Sequence, residues 1–155
     1  MARRGRLLSQ ARGLAAALTA AVEAAAAQDL EAYEQALVPL AAADPARVST
    51  VTGAVVRGLL EELHPGGLTG EAVGDVLRAC TAPWLPDLDP TVLVVVVTGA
   101  LGLLDVDDQP AELSAAAVLR PAPVLIASLL AGAPLGPRLD TALAELRRHE
   151  TVEMP

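Results

Sequence analysis

Residues 44–63 read DPARVSTVTGAVVRGLLEEL, and residues 89–104 read DPTVLVVVVTGALGLL. Both open on Asp-Pro, a strong helix start. The Asp carboxylate accepts hydrogen bonds from the free N–H groups of the first turn, and Pro at the first helical position lacks an N–H that would be orphaned there. In the first stretch Val48, Val51, Val55, Leu59 and Leu63 share one helical face, and Val56 and Leu60 widen it. The spacing therefore predicts a helix buried on two sides. His64-Pro65-Gly66-Gly67 ends it, because Pro cannot continue a helix and Gly tolerates left-handed caps.

The two stretches belong to a longer recurrence. Pro65, Leu68, Thr69, Ala72 and Val73 return as Pro110, Leu113, Ser114, Ala117 and Val118, 45 residues on. Aligning 44–88 on 89–133 gives ten identities in 45 positions. A period of 45 falls in the roughly 40–47-residue range of HEAT and armadillo arrays, whose units are helical hairpins. The likeness is one of period and layout. It predicts an all-α fold of six to eight helices arranged as stacked helical hairpins. A single domain over 1–155 would comprise an N-terminal hairpin or cap (1–43), repeat 1 (44–88), repeat 2 (89–133) and a C-terminal helix or cap (134–155).

Composition agrees with helices. The apolar fraction is 53% and rests on Ala, Leu and Val, with one Tyr, one Trp and no Phe. Ala and Leu are among the best helix formers. Leu7, Ala11, Leu14, Leu18, Val22 and Ala25 form one stripe over about 6–27. Asp29 caps a second helix over about 30–43, lined by Leu30, Tyr33, Leu37 and Leu40, with Pro39 expected to kink or shorten it. A link of about two residues makes these two helices an antiparallel hairpin. Val73, Val76, Leu77 and Cys80 face inward over 70–82, before Pro83 and Pro86 stop the helix around Trp84. The stretch 89–104 is apolar nearly all round. It is expected to be the most buried helix, with Val94, Val95, Val97, Leu101 and Leu104 inside. Breaks at Pro121 and Pro123 leave a helix over about 122–131. Leu139, Ala142, Leu143 and Leu146 line a last one over about 137–149.

Charge narrows the partners. The net charge is −8. Arg3, Arg4, Arg6 and Arg12 face no acid within residues 1–12. The remaining seven Arg face all 19 acids, so a +4 segment precedes a −12 body. Such a body repels phosphate backbones and argues against nucleic acid. Cys80 is the single Cys, so no intrachain disulfide exists. The longest uncharged, Pro-free apolar run, 91–104, spans about 20 Å as a helix, short of a bilayer core of about 30 Å. Localisation is read as cytoplasmic. The alternative is export through a twin-Arg-like signal in Arg3-Arg4-Gly5-Arg6-Leu7-Leu8 and the apolar stretch after it, a pattern Glu23 interrupts.

No motif specifies a reaction. Glu61-x-x-His64 sets a carboxylate and an imidazole on one helix face, the spacing of carboxylate-bridged di-iron bundles. Those need a second such pair, but the other His, His149, follows Leu146. Asp105, Asp107, Asp108 and Glu112 resemble a calcium loop, yet the sixth and twelfth positions hold Pro110 and Ala116 in place of Gly and Glu. Asp87 and Asp89 lie at the other end of the 89–104 stretch. Cys80, late on an apolar helix face, reads as a buried structural thiol. Trp84, held between Pro83 and Pro86, is either a binding hot spot or, like its repeat counterpart Leu129, a core plug. The expected function is a non-catalytic protein-interaction or adaptor module, its partner another protein or a second copy of itself, with Trp84, Arg3, Arg4 and Arg6 as candidate contacts and no metal or cofactor. The alternatives are a sensor or carrier holding a small apolar ligand near 89–104, where Gly99 and Gly102 leave room beside Val95, Leu101 and Trp84, and an enzyme around Glu61, Glu62 and His64.

Overall fold

The computed structural model describes residues 2–67, 69–80, 84–85, 92–94, 96–97 and 119–153. Every regular element among them is an α-helix: α1 Ala2–Ala27, α2 Leu30–Ala42, α3 Pro45–Leu63, α4 Gly70–Ala79, α5 Ala122–Leu130 and α6 Gly136–Glu153. Residues 92–94 and 96–97 are also helical.

The α1–α2 turn shows how few residues a hairpin needs. Gln28 takes a left-handed φ of 57°. Its N–H donates to the Ala25 carbonyl at 3.1 Å, and the Asp29 N–H donates to the Ala24 carbonyl at 3.0 Å. These are the paired bonds of a Schellman cap. Asp29 then turns to its other duty, its carboxylate accepting from the Ala32 N–H at 3.2 Å to start α2. One residue thus closes one helix and opens the next, and α1 packs along α2.

Pro39 lies inside α2, which runs on to Ala42, close to the expected end, and the Ala43 N–H reaches the Pro39 carbonyl at 3.1 Å. The bond that Pro39 cannot make would have gone to Gln35, four residues back and exposed, where water can serve the carbonyl. Two further starts carry side-chain caps. Asp44 accepts from the Ala46 N–H at 3.0 Å with Pro45 behind it, and Thr69 accepts from the Ala72 N–H at 3.1 Å. His64 caps α3 by donating its backbone N–H to Leu60 at 2.9 Å. Gly67 follows with φ +102°, a conformation that suits Gly. Pro123 sits in the first turn of α5, where its missing N–H costs nothing.

The core is held together from the far end of the chain. α5 packs on both α1 and α3, and α6 packs on α3. Ala122, Val124, Leu125, Ile126, Leu129 and Leu130 are all buried, so α5 is wrapped nearly all round. The same core takes in Leu14, Leu18, Ala21, Val22 and Ala25 of α1 and Val48, Val51, Val55, Val56, Leu59 and Leu60 of α3. Thr52 is the one buried polar side chain among the described residues. Its hydroxyl donates back to the Val48 carbonyl at 2.7 Å.

Two inward assignments are corrected. Leu63 is 52% exposed, since the last turn of α3 runs past the end of the core. Of the residues expected inside the 89–104 stretch, Val97 is buried but Val94 is 39% exposed. Leu93, not singled out beforehand, is 3% exposed. Val95, Leu101 and Leu104 lie outside the described residues, as does most of the second 45-residue unit. Among the described residues, α3 finds its main neighbours in α5 and α6 rather than in α4.

Candidate functional site

Glu61 and His64 end up in different roles. Glu61 is exposed on the last turn of α3, while His64 has left the helix as its cap, with φ −132° and ψ 65°. No hydrogen bond or ion pair joins them among the described residues. Their neighbour Glu62 is engaged elsewhere. Arg138 of α6 grips it with two bonds, Nε to Oε2 at 2.8 Å and Nη2 to Oε1 at 3.1 Å. Among the described residues no three His, Cys, Asp or Glu side chains converge as metal ligands would. The acidic loop 105–112 lies outside them.

The Arg138–Glu62 pair belongs to a longer seam that the sequence reading did not foresee. Arg47 Nε meets Glu150 Oε1 at 2.8 Å, and Arg57 Nη2 meets Glu145 Oε2 at 2.8 Å. Residue numbers climb along α3 as they fall along α6, so the helices are antiparallel. Three Arg–Glu pairs bridge them beside buried Leu139, Ala142 and Leu146. The only sequence signal was α6's mixture of acids and Arg on its non-apolar face, which any solvated helix also shows.

Cys80 is 1% exposed, and its Sγ receives a hydrogen bond from Ser128 Oγ of α5 at 3.7 Å. Burial pushes the thiol pKa up, and the Ser128 bond offsets part of that. A raised pKa keeps the sulfur protonated at neutral pH, so it is a poor nucleophile.

Trp84 is half-buried and packs edge-on to Tyr33 of α2, ring centroids 5.2 Å apart and planes at 87°. Tyr33 is fully buried, and its hydroxyl donates to the backbone carbonyl of Arg120, just before α5. Arg120 in turn reaches Glu34 of α2, Nη2 to Oε1 at 3.2 Å. Three distant segments therefore meet at one phenol ring. Sequence reading placed Tyr33 on an inner face but missed its role as a junction. The available hint was that a chain with two aromatic residues buries one where several segments converge.

Arg3, Arg4 and Arg6 lie in the first two turns of α1; their side chains lie outside the described residues. Val95, Gly99, Leu101 and Gly102, invoked for an apolar ligand pocket, lie outside as well. None of the described helices is long and apolar enough to cross a membrane. The class these features define is an all-α helical domain held by an apolar core and cross-helix Arg–Glu pairs. No family model, curated protein or solved structure matches the chain.

Proposed function

We propose that this chain is a non-catalytic helical interaction module that docks a protein partner, its helices laid out as stacked hairpins. The observation that carries this reading is the structural employment of its chemistry-bearing side chains. Glu62 clamps Arg138, Cys80 is sealed under Ser128, and His64 caps α3. A hydrolytic or redox site needs a nucleophile or metal beside a tuned acid or base, and no three His, Cys, Asp or Glu side chains converge among the described residues. The −8 charge favours a protein partner over nucleic acid. Trp84, partly exposed beside Tyr33, and Arg3, Arg4 and Arg6 in the first turns of α1 are the candidate contacts.

The test is a double variant, Glu61→Gln with His64→Gln, in the native host. It should fold, carry no stoichiometric transition metal by elemental analysis, and support the same cellular function and crosslinked partners as the unaltered chain. A stoichiometric metal in the unaltered protein, or loss of function in a folded double variant, overturns the reading.

A further inference from the structure

The outward face of α1 carries two charges that no ion pair among the described residues answers. α2 and α5 cover one side of α1, where Leu14, Ala17, Leu18, Ala21, Val22, Ala24 and Ala25 are buried. On the opposite side Arg12, Ala16, Ala20 and Glu23 are all exposed. Arg12 and Glu23 are eleven residues apart, which returns to within about 20° of the same direction on an α-helix and separates them by about 16 Å along the axis. They cannot reach each other. Positions three and four residues from each hold only Ser, Leu, Ala and Thr, so neither has a helical partner. Neither forms an ion pair among the described residues.

These two charges are symmetric about a point between Ala16 and Ala20. A two-fold axis through that point, perpendicular to α1, lays a second α1 antiparallel on the first. Each Arg12 then faces the Glu23 of the other copy, and small side chains at the crossing let the helices approach closely. The face is therefore self-complementary, as an isologous contact requires. We propose that this chain associates with a second copy of itself through antiparallel packing of α1 on α1, with Arg12 of each copy paired to Glu23 of the other. The strip is one helix wide, so the contact falls below the roughly 1,200 Å² of stable interfaces and the dimer is a weak one. This names one partner for the interaction reading. If it fails, docking of a different protein stands or falls separately on the partner capture described above.

The experiment is sedimentation of the full chain from ~10 µM to ~1 mM, the range of weak association. The unaltered protein should move from monomer toward dimer mass. Arg12→Glu and Glu23→Arg each set like charges opposite each other twice, and each should raise the dissociation constant at least tenfold while far-UV circular dichroism stays unchanged. The two single variants mixed should form a heterodimer, and the swap Arg12→Glu with Glu23→Arg in one chain should restore the homodimer. A monomer across the whole range, a mass growing beyond dimer, single variants that dimerise like the unaltered protein, or a mixture and swap that fail to restore the dimer would each overturn the proposal.

Discussion

Tyr33 and Trp84, the only Tyr and Trp in a chain without Phe, meet edge to face at 5.2 Å and 87°. The pair ties α2 to the segment after α4, and the Tyr33 hydroxyl extends the tie to Arg120 before α5. Edge-to-face pairs contribute about 0.5–1.5 kcal/mol beyond the area they bury.

Removing only the hydroxyl separates these two ties. Tyr33→Phe keeps the ring against Trp84 but leaves the Arg120 carbonyl without this donor, a loss of about 1–3 kcal/mol. At about 2–4 °C per kcal/mol for a chain of this size, the midpoint should fall by several degrees. Trp84 is the sole Trp, so its fluorescence reports the unfolding directly. An unchanged midpoint would mean that the Arg120 carbonyl finds an equal partner elsewhere.

Gln28 holds a left-handed φ of 57° that costs an L residue about 1–2 kcal/mol, part of which Gly returns to the unfolded chain as entropy. Gln28→Gly should therefore stabilise by on the order of 0.5–1 kcal/mol, read as a higher urea midpoint. Gln28→Val, β-branched at the same site, should lower it.

The α3–α6 seam is half-exposed, so each pair should contribute less than about 1 kcal/mol. A double-mutant cycle on Arg138 and Glu62, using Arg138→Ala and Glu62→Ala, should give the largest coupling of the three because its geometry is bidentate. Coupling should shrink as salt rises from 0.05 to about 0.5 M. A coupling of zero at low salt would make the seam decorative, with the apolar residues Leu139, Ala142 and Leu146 alone holding α6.

Cys80 predicts an alkaline limb to stability. Burial raises its thiol pKa in the fold, with the Ser128 bond opposing in part. The folded protein thus holds its proton to higher pH than the unfolded chain does. The thiol's contribution is whole below the unfolded thiol pKa of about 8.5 and declines as pH climbs from there through the raised folded value. Unfolding free energy of the unaltered protein minus that of Cys80→Ala should be flat from pH 6 to about 8 and fall above about 8.5. The thiol should also react slowly with a disulfide reagent until urea opens the fold.

Helix positions were legible because their signals are local. Asp29 and Asp44 were each read as the cap of a first turn, and both are; Thr69 caps α4 in the same way. The 3.6-residue spacing in α1, α2 and α3 fixed which side chains turn inward, down to Tyr33, Val51 and Leu59. It failed at Leu63, because periodicity names a face without saying how far the core extends along it, while Val94 was placed inside by the all-round apolar character of 89–104, which names no face. Pro39 is carried inside α2, where water can serve the exposed Gln35 carbonyl that it leaves without a helical donor.

The candidate site was less legible. Glu61, Glu62 and His64 looked like a group because they are neighbours in sequence, but Glu62 is drawn to Arg138 and His64 is turned into a cap.

By itself the sequence determined that this chain is helical, where most of its helices start and stop, and that its body is acidic, because propensity, capping and charge are properties of a few adjacent residues. Only the tertiary structure decided that α5 lies between α1 and α3, that α6 runs antiparallel to α3 through Arg–Glu pairs, and that Tyr33 meets Trp84 and Arg120. The named side-chain contacts among these join residues 51 to 103 positions apart. Many apolar faces of similar width could have been matched in other pairings, and what selects among them is the combined fit of packing and charge across all the helices at once.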